Sequence, residues 1–170
     1  MEYWDLVDEQ RNLIGKTHKR GVELNQGEYH VVVEIFTINA DGRILLTQRD
    51  PVKTHPLLWE ITGGSITAGE TSVEGAAREL EEETGLIAES GRLRKIGEIK
   101  YGHYFRDSYI WKSPRLIEPS TMKLQPGEVC DAKLVTLEEF REMERMGLTV
   151  PRLLERFRLY HKDLQQMIDR

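Results

Sequence analysis

The chain lacks several features that would each define a class. It has one cysteine in 170 residues, Cys130, so no internal disulfide and no Cys-x-x-Cys pair can form, and a reducing compartment is the natural setting. Cys130 is expected to be a small buried residue rather than a nucleophile. No uninterrupted apolar run reaches membrane-spanning length, and the opening, MEYWDLVDEQ, is too acidic for a secretory signal, so a cytoplasmic protein is expected. Positive charge is in deficit: 24 Lys and Arg against 29 Asp and Glu leave a net charge of −5, with a pI near 5.6. That argues against nucleic acid as a partner, because duplex binding usually needs a basic face, but it leaves room for a small phosphate compound held by local cations. Repeats, low-complexity tracts and linkers are also missing. One domain over residues 1–170 is expected, with 39% hydrophobic residues to build its core.

What the chain does have is concentrated between Gly64 and Leu86, GSITAGETSVEGAARELEEETGL. A glycine loop runs into a helix that starts after Glu70, capped by Thr71 or Ser72, and stops at Gly85. At about 100° per residue, Val73, Ala76, Ala77, Leu80 and Thr84 form one apolar stripe, and Glu79, Glu82 and Glu83 project from roughly the opposite half. Gly75 lies on that outer side, one turn before Glu79, where the missing side chain leaves room for something to approach. Carboxylates at i, i+3 and i+4 repel by about 0.2–0.5 kcal/mol per pair in an isolated helix, so a positive partner is expected. Arg78, four residues from both Glu74 and Glu82, is one candidate. A divalent cation is the other, since hard oxygen donors on a rigid element suit Mg2+ or Mn2+. The charges taken alone read as a solvated acidic face.

The full spacing decides otherwise. Gly64, five residues, Glu70, seven residues, Arg78-Glu79-Leu80, one residue, Glu82-Glu83, one residue, Gly85-Leu86 matches the Nudix box at every specified position, and the sequence resembles the Nudix family. The resemblance implies an α/β (α+β) fold, an α/β/α sandwich with a mixed sheet over roughly Val31 to Ile168. Residues 1–29 then form an added N-terminal hairpin and loop, and 64–86 form the box. It implies Mg2+, or Mn2+ in its place, held by Glu79, Glu82, Glu83 and the carbonyl of Gly64, with Arg78 and Glu70 holding loop and carboxylates in place. It implies a hydrolase, a pyrophosphohydrolase in which water attacks phosphorus of a nucleoside diphosphate linked to another group, or of a related small diphosphate. Glu82 or Glu83 takes the proton, or Glu128 from a later loop. A homodimer is left open as the assembly.

The remaining chain reads as support. Glu2 to Val7 and Leu13 to His18 form a hairpin, followed by the basic cluster His18-Lys19-Arg20, a solvated loop or a phosphate contact. Val31 to Asn39, VVVEIFTIN, is a strand buried on both faces, and Arg43 to Arg49 returns as its antiparallel partner. Arg49 closes that strand as an anchor for the acidic site, a phosphate contact or a surface ion pair. Trp59 to Thr62 leads into Gly63-Gly64, where the backbone can turn sharply and come close to a ligand. Trp59 is a packing residue or a base-stacking platform. Leu93 to Tyr101 and Tyr104 to Trp111 form a second hairpin. Its Tyr101, His103, Tyr104 and Arg106 are packing residues or a substrate holder, with His103 and Tyr104 the candidates alongside Arg49, Gly63 and Gly64. Asp131 to Val135 is the last strand, Thr136 to Glu139 a capping box, and Thr149 and Pro151 open one final helix whose stripe is Leu153, Phe157, Tyr160, Leu164, Met167 and Ile168.

A narrower likeness competes. WDLVDEQRNLIGKTHKRG, EYHVVVEIFTIN and LQPGEVCDAKLVTLEEF resemble the Nudix subgroup that contains isopentenyl diphosphate isomerase. Where the isomerase pattern has Cys-Gly-His-Pro, this chain has Gly63-Gly64-Ser65-Ile66, and where it has an Asn-Glu-Val-Cys-like stretch this chain has Asp107-Ser108-Tyr109-Ile110. The catalytic cysteine and glutamate are both missing, and His30, a match to a metal histidine, carries no acid–base chemistry alone. Hydrolysis is therefore favoured over isomerisation. A nucleotide sensor without catalysis is the other class, disfavoured because no helix carboxylate is lost.

Overall fold

The structure is a computed structural model and describes residues 2–170. In chain order its elements are β1 (Tyr3–Val7), β2 (Leu13–Lys19), β3 (His30–Ile38), β4 (Ile44–Arg49), β5 (Trp59–Glu60), β6 (Thr62–Ser65), α1 (Ser72–Thr84), β7 (Arg94–Tyr101), β8 (Tyr104–Lys112), β9 (Val129–Val135), α2 (Leu137–Arg145), α3 (Leu153–Leu159) and α4 (His161–Ile168). The strand read from VVVEIFTIN is the centre of the sheet. Val31, Val33 and Ile35 pack with Ala76 and Leu80 of α1, while Phe36 and Ile38 pack with Phe140, Phe157 and Leu164 of α2, α3 and α4. Burial on alternate faces explains a run with almost no polar interruption. The helices thus lie on both sides of a mixed sheet, the α/β/α sandwich expected.

The partners of β3 differ in part from expectation. It runs parallel to β8 over nine pairs, from His30 opposite Tyr104 to Ile38 opposite Lys112, and antiparallel to β6 from Val32 opposite Ser65 to Ile35 opposite Thr62. Strand β4 meets β3 only at Ile38 and Ile44 beside the turn, then diverges to pair with β9 and β5. The gap between β3 and β4 is filled by β6, so Gly63 and Gly64 lie within a strand and not at a sharp turn.

The box helix is set by its ends. Thr71 accepts from Glu74 N–H while the Glu74 carboxylate accepts from Thr71 N–H, and Gly85 closes the other end in the left-handed region at φ 73°. Thr136 and Glu139 repeat the capping box on α2. The final helix, expected as one piece, is two: the backbone breaks at Tyr160, φ −103° and ψ 19°. Cys130, expected to be buried, is exposed on β9. Trp59 is buried in the core on the side of α2 and α3, the packing alternative of its two readings.

The hairpin of β1 and β2 is docked against the box. Tyr3 O accepts from Ala68 N–H at 2.8 Å, and the Asp5 carboxylate accepts from Gly69 N–H at 2.7 Å. From the tip, Arg11 reaches the fully buried Asp107, which Ser72 at the start of α1 and Lys95 on β7 also contact. Three side chains around one buried carboxylate offset the cost of removing it from water. Among the described residues no helix is long and apolar enough to cross a membrane.

Candidate active site

Arg78 organises the box. Its Nε gives 2.7 Å to Glu70, its Nη2 gives 3.0 Å to Glu70 and 3.1 Å to Ser65 O, and its Nη1 alone gives 2.9 Å to both Glu79 and Glu82. The pairing with Glu82 was expected; that with Glu74 is absent, because Glu74 is occupied as a cap. The Glu70 hydrogen bond, with the charges of Glu79 and Glu70, raises the already high guanidinium pKa further. Burial works against ionised Glu70, but Arg78 and Thr67 N–H outweigh it and leave that carboxyl below its usual range.

The three helix carboxylates are not equivalent. Glu82 is exposed; Glu79 is largely enclosed, and burial, then the nearby Glu82 and Glu2, raise its pKa against the pull of Arg78. Glu83 corrects the helical reading: placed on the outer half by periodicity, its residue is only 3% exposed. Among the described residues its carboxylate has no hydrogen-bond or ion-pair partner. Burial, then Glu60, Glu79 and Glu128, push its pKa well above the usual range, and Lys53 only partly opposes them. Gly75 is a second correction. It is buried, and a Cβ there would come within 2.5 Å of Ile66, so the approaching group is the chain's own box loop.

Residues from outside the box complete the cluster. Arg49 clamps Glu60 with Nη1 at 2.7 and 2.8 Å from the two oxygens, and is itself held by Thr54. That ion pair is largely enclosed, with side chains 13% and 18% exposed, and not the surface pair that was one of the three roles considered for it. Burial raises the pKa of Glu60 even so. Lys53 pairs with Glu128, which is partly exposed at the edge of the cluster. Gly64 lies directly against the site: a Cβ there would fall 2.4 Å from the Glu79 carboxylate. On the opposite side of the same strand, a Cβ on Gly63 would fall 2.4 Å from Val33 O and 3.4 Å from Glu34 Cβ. Glu34 is itself buried, accepting from Ser108 at 2.6 Å and facing Arg156 at 2.9 Å.

Other candidates separate. Tyr104 and Arg106 line a cavity against α3, whereas His103 is exposed at the hairpin turn beside Tyr29. In the basic cluster Arg20 pairs with Glu2 and His18 contacts Val22 O. Sequence reasoning missed Glu34 and Glu60, although each is a lone charge inside an apolar strand, VVVEIF and WEI, and that contrast was the available signal.

The donor set suits a hard divalent cation. Carboxylates and a backbone carbonyl are the ligands Mg2+ and Mn2+ prefer, and the uncompensated Glu83 among Glu60, Glu79 and Glu128 is a local excess of negative charge. Among the described residues no three acidic, His or Cys side chains already converge at metal-holding geometry; Arg78 holds Glu79 and Glu82 instead.

Known proteins resemble this chain in sequence and in fold. A family model described as NUDIX domain matches residues 28–157. An uncharacterised Nudix hydrolase of Listeria monocytogenes is 36% identical over 155 residues, covering 89% of each chain. An isopentenyl-diphosphate Delta-isomerase of Streptomyces avermitilis is 30% identical over 146 residues, covering 81% of this chain and 73% of its own. The crystal structure of a Deinococcus radiodurans protein superposes with a TM-score of 0.72 at 24% identity, covering 92% of this chain and 98% of that one.

Proposed function

The chain is a member of the Nudix hydrolase family, and from that premise we propose that it is a metal-dependent pyrophosphohydrolase of a nucleoside diphosphate linked to another group. The observation that carries this reading is Glu83, a buried carboxylate without a partner among the described residues, set among Glu60, Glu79 and Glu128 with Lys53 nearby. A fold retains such a group at a cost, and a function that needs it is the natural reason.

Glu79, Glu82, Glu83 and the carbonyl of Gly64 would hold Mg2+ or Mn2+, which when bound neutralises diphosphate oxygens and acidifies a bound water. Arg78 allows this without loosening the loop. Only its Nη1 contacts Glu79 and Glu82, so those two can turn away while Nε and Nη2 keep Glu70 and Ser65. Arg49 fixes Glu60 as the wall behind Glu83, and Lys53 brings positive charge to the edge where diphosphate oxygens would lie. The proton of the attacking water passes to Glu83 or Glu82. Glu128, tethered by Lys53 at the edge of the cluster, is the alternative acceptor.

The isomerase relative does not favour double-bond migration here. Gly63 stands where the isomerase pattern has its cysteine, with Val33 O directly beneath it, and Ser108 lies in the strand that should supply the glutamate. Phosphate and pyrophosphate release from a panel of nucleotides and small diphosphates, with and without Mg2+ or Mn2+, tests the reading; isopentenyl diphosphate conversion runs beside it. Glu82→Gln is expected to lower turnover by about 10²–10³ and leave the melting transition unchanged, because its side chain is 47% exposed. Metal binding with no release from any compound would favour a sensor.

A further inference from the structure

A cavity of about 430 Å³ lies between the β7–β8 hairpin and α3, on the far side of β6 from Glu79. Two of its walls are a guanidinium stacked on a tyrosine. Arg106 lies 5.4 Å from the Tyr104 ring centroid and Arg152 4.6 Å from that of Tyr101, and the two rings are 5.6 Å apart. Arg156 completes the positive wall, giving three guanidinium groups against two carboxylates, Glu155 in the lining and Glu34 behind it. The pairings are uneven. Arg152 has Glu155 at 2.8 Å and Arg156 has Glu34 at 2.9 Å, but Arg106 comes no nearer than 3.9 Å to a Glu34 already engaged. Among the described residues the one side-chain hydrogen bond of Arg106 goes to the Tyr104 hydroxyl oxygen at 2.8 Å, which leaves the phenol hydrogen to be donated elsewhere. An unmatched guanidinium whose side chain is 23% exposed interacts with an anion more strongly than it would in open water.

We propose that this cavity is an oxyanion subsite: it takes a second acidic group, a carboxylate or a phosphate, carried by the part of the substrate beyond the scissile diphosphate. The stacked guanidinium planes present their N–H edges, the geometry that grips carboxylate and phosphate oxygens in pairs, with Tyr104 O–H as an additional donor. The position is right for a substrate that spans β6. Glu34, which backs the cavity, lies where a Cβ on Gly63 would come within 3.4 Å of its own Cβ, and a Cβ on the adjacent Gly64 would fall 2.4 Å from the Glu79 carboxylate. The assignment to the substrate rests on the hydrolase reading; the anion site itself does not. Arg106 becomes a specificity-determining residue, selecting diphosphates whose second moiety is acidic over neutral ones.

The test is side-chain NMR of the full chain labelled with 15N-arginine, without metal, titrated with methyl phosphate and, separately, with acetate. Saturable shifts of the Arg106 and Arg152 Nε signals in the range of about 1–10 mM are expected with at least one ion, and the ion that saturates distinguishes phosphate from carboxylate. Arg106→Gln should weaken the response of Arg152 at least tenfold. Arg152→Gln, at an exposed position, should do the same to Arg106 and serves if the first variant does not fold. No saturation with either ion up to about 50 mM, or an Arg152 response unchanged in Arg106→Gln, would overturn the subsite. Absence of phosphate release across the substrate panel would instead sink the hydrolase reading and leave the titration to judge the cavity by itself.

Discussion

Gly63 and Gly64 look alike in the sequence, yet a methyl group would meet a different obstacle at each. At Gly63 it meets the backbone oxygen of Val33, which cannot move without shifting β3, so Gly63→Ala is expected to cost about 1–3 kcal/mol in denaturant unfolding. At Gly64 it meets the end of the flexible Glu79 side chain, which can swing aside. Gly64→Ala should therefore cost less than about 1 kcal/mol but weaken Mn2+ binding, read by electron paramagnetic resonance, roughly tenfold or more. Equal stability losses, or unchanged Mn2+ affinity in Gly64→Ala, would contradict this division. The residues of the box were legible because their spacing is dense and local. The state of each was not. Helical periodicity gave the stripe of Ala76, Leu80 and Thr84, but Glu83 adjoins Thr84 and is covered by groups from other segments, near Glu60 and Glu128, which no helical wheel contains. Cys130 failed for a simpler reason: residue type suggested burial, but it lies with Asp131 in an exposed pair at the start of β9, where the pairing with β4 is irregular.

At the level of elements, the N-terminal hairpin acts as a strut for the box loop. The loop's Thr67 N–H and Ser65 O are held from the helix side by Glu70 and Arg78, while its Ala68 and Gly69 N–H groups are held from the hairpin side by Tyr3 O and Asp5. Asp5→Ala removes one of these ties and leaves the Tyr3 contact. It should cost about 0.5–1.5 kcal/mol, speed amide exchange at Gly69, and lower kcat with little change in KM. Unchanged exchange at Gly69 would show that the strut is not needed. The hairpin and the capping box of Thr136 to Glu139 could be read directly as local codes, whereas at the box helix the sequence left Thr71 and Ser72 as alternative caps and assigned Glu74 to Arg78. The break between α3 and α4 could not. Leu153, Phe157, Tyr160 and Leu164 keep helical spacing straight through it, and neither glycine nor proline marks Tyr160, so the side-chain pattern continues where the backbone does not.

For the molecule as a whole, the sandwich followed from one strand buried on both faces, whereas the strand order did not, because β8 and β6 rather than β4 flank β3 for most of its length. His30 couples this arrangement to pH. It stacks on Trp4 of the hairpin at 4.1 Å, faces His18 and Tyr104, and its buried Nδ1 has no hydrogen-bond partner among the described residues. Burial, and secondarily the charge of His18, lowers its pKa from 6.5 to about 4. The unfolded chain therefore takes up this proton first. The contribution is complete above about pH 6.5, is lost as pH falls toward 4, and changes no further below that. After allowance for its remaining contact with water the loss is about 1 kcal/mol. His30→Phe, which keeps the stack, should flatten the fall in melting temperature between pH 7 and 4; an identical slope would assign that fall to other groups. The parallel pairing of β3 with β8 also has a temporal consequence. These strands lie about seventy residues apart, and the box helix sits wholly within the intervening loop, so closing the sheet carries a large loop-entropy cost before any contact rewards it. On the ribosome the box segment emerges well before the strand that completes the sheet beneath it, and the carboxylate cluster, which includes Glu128, is whole only after that residue has left the exit tunnel.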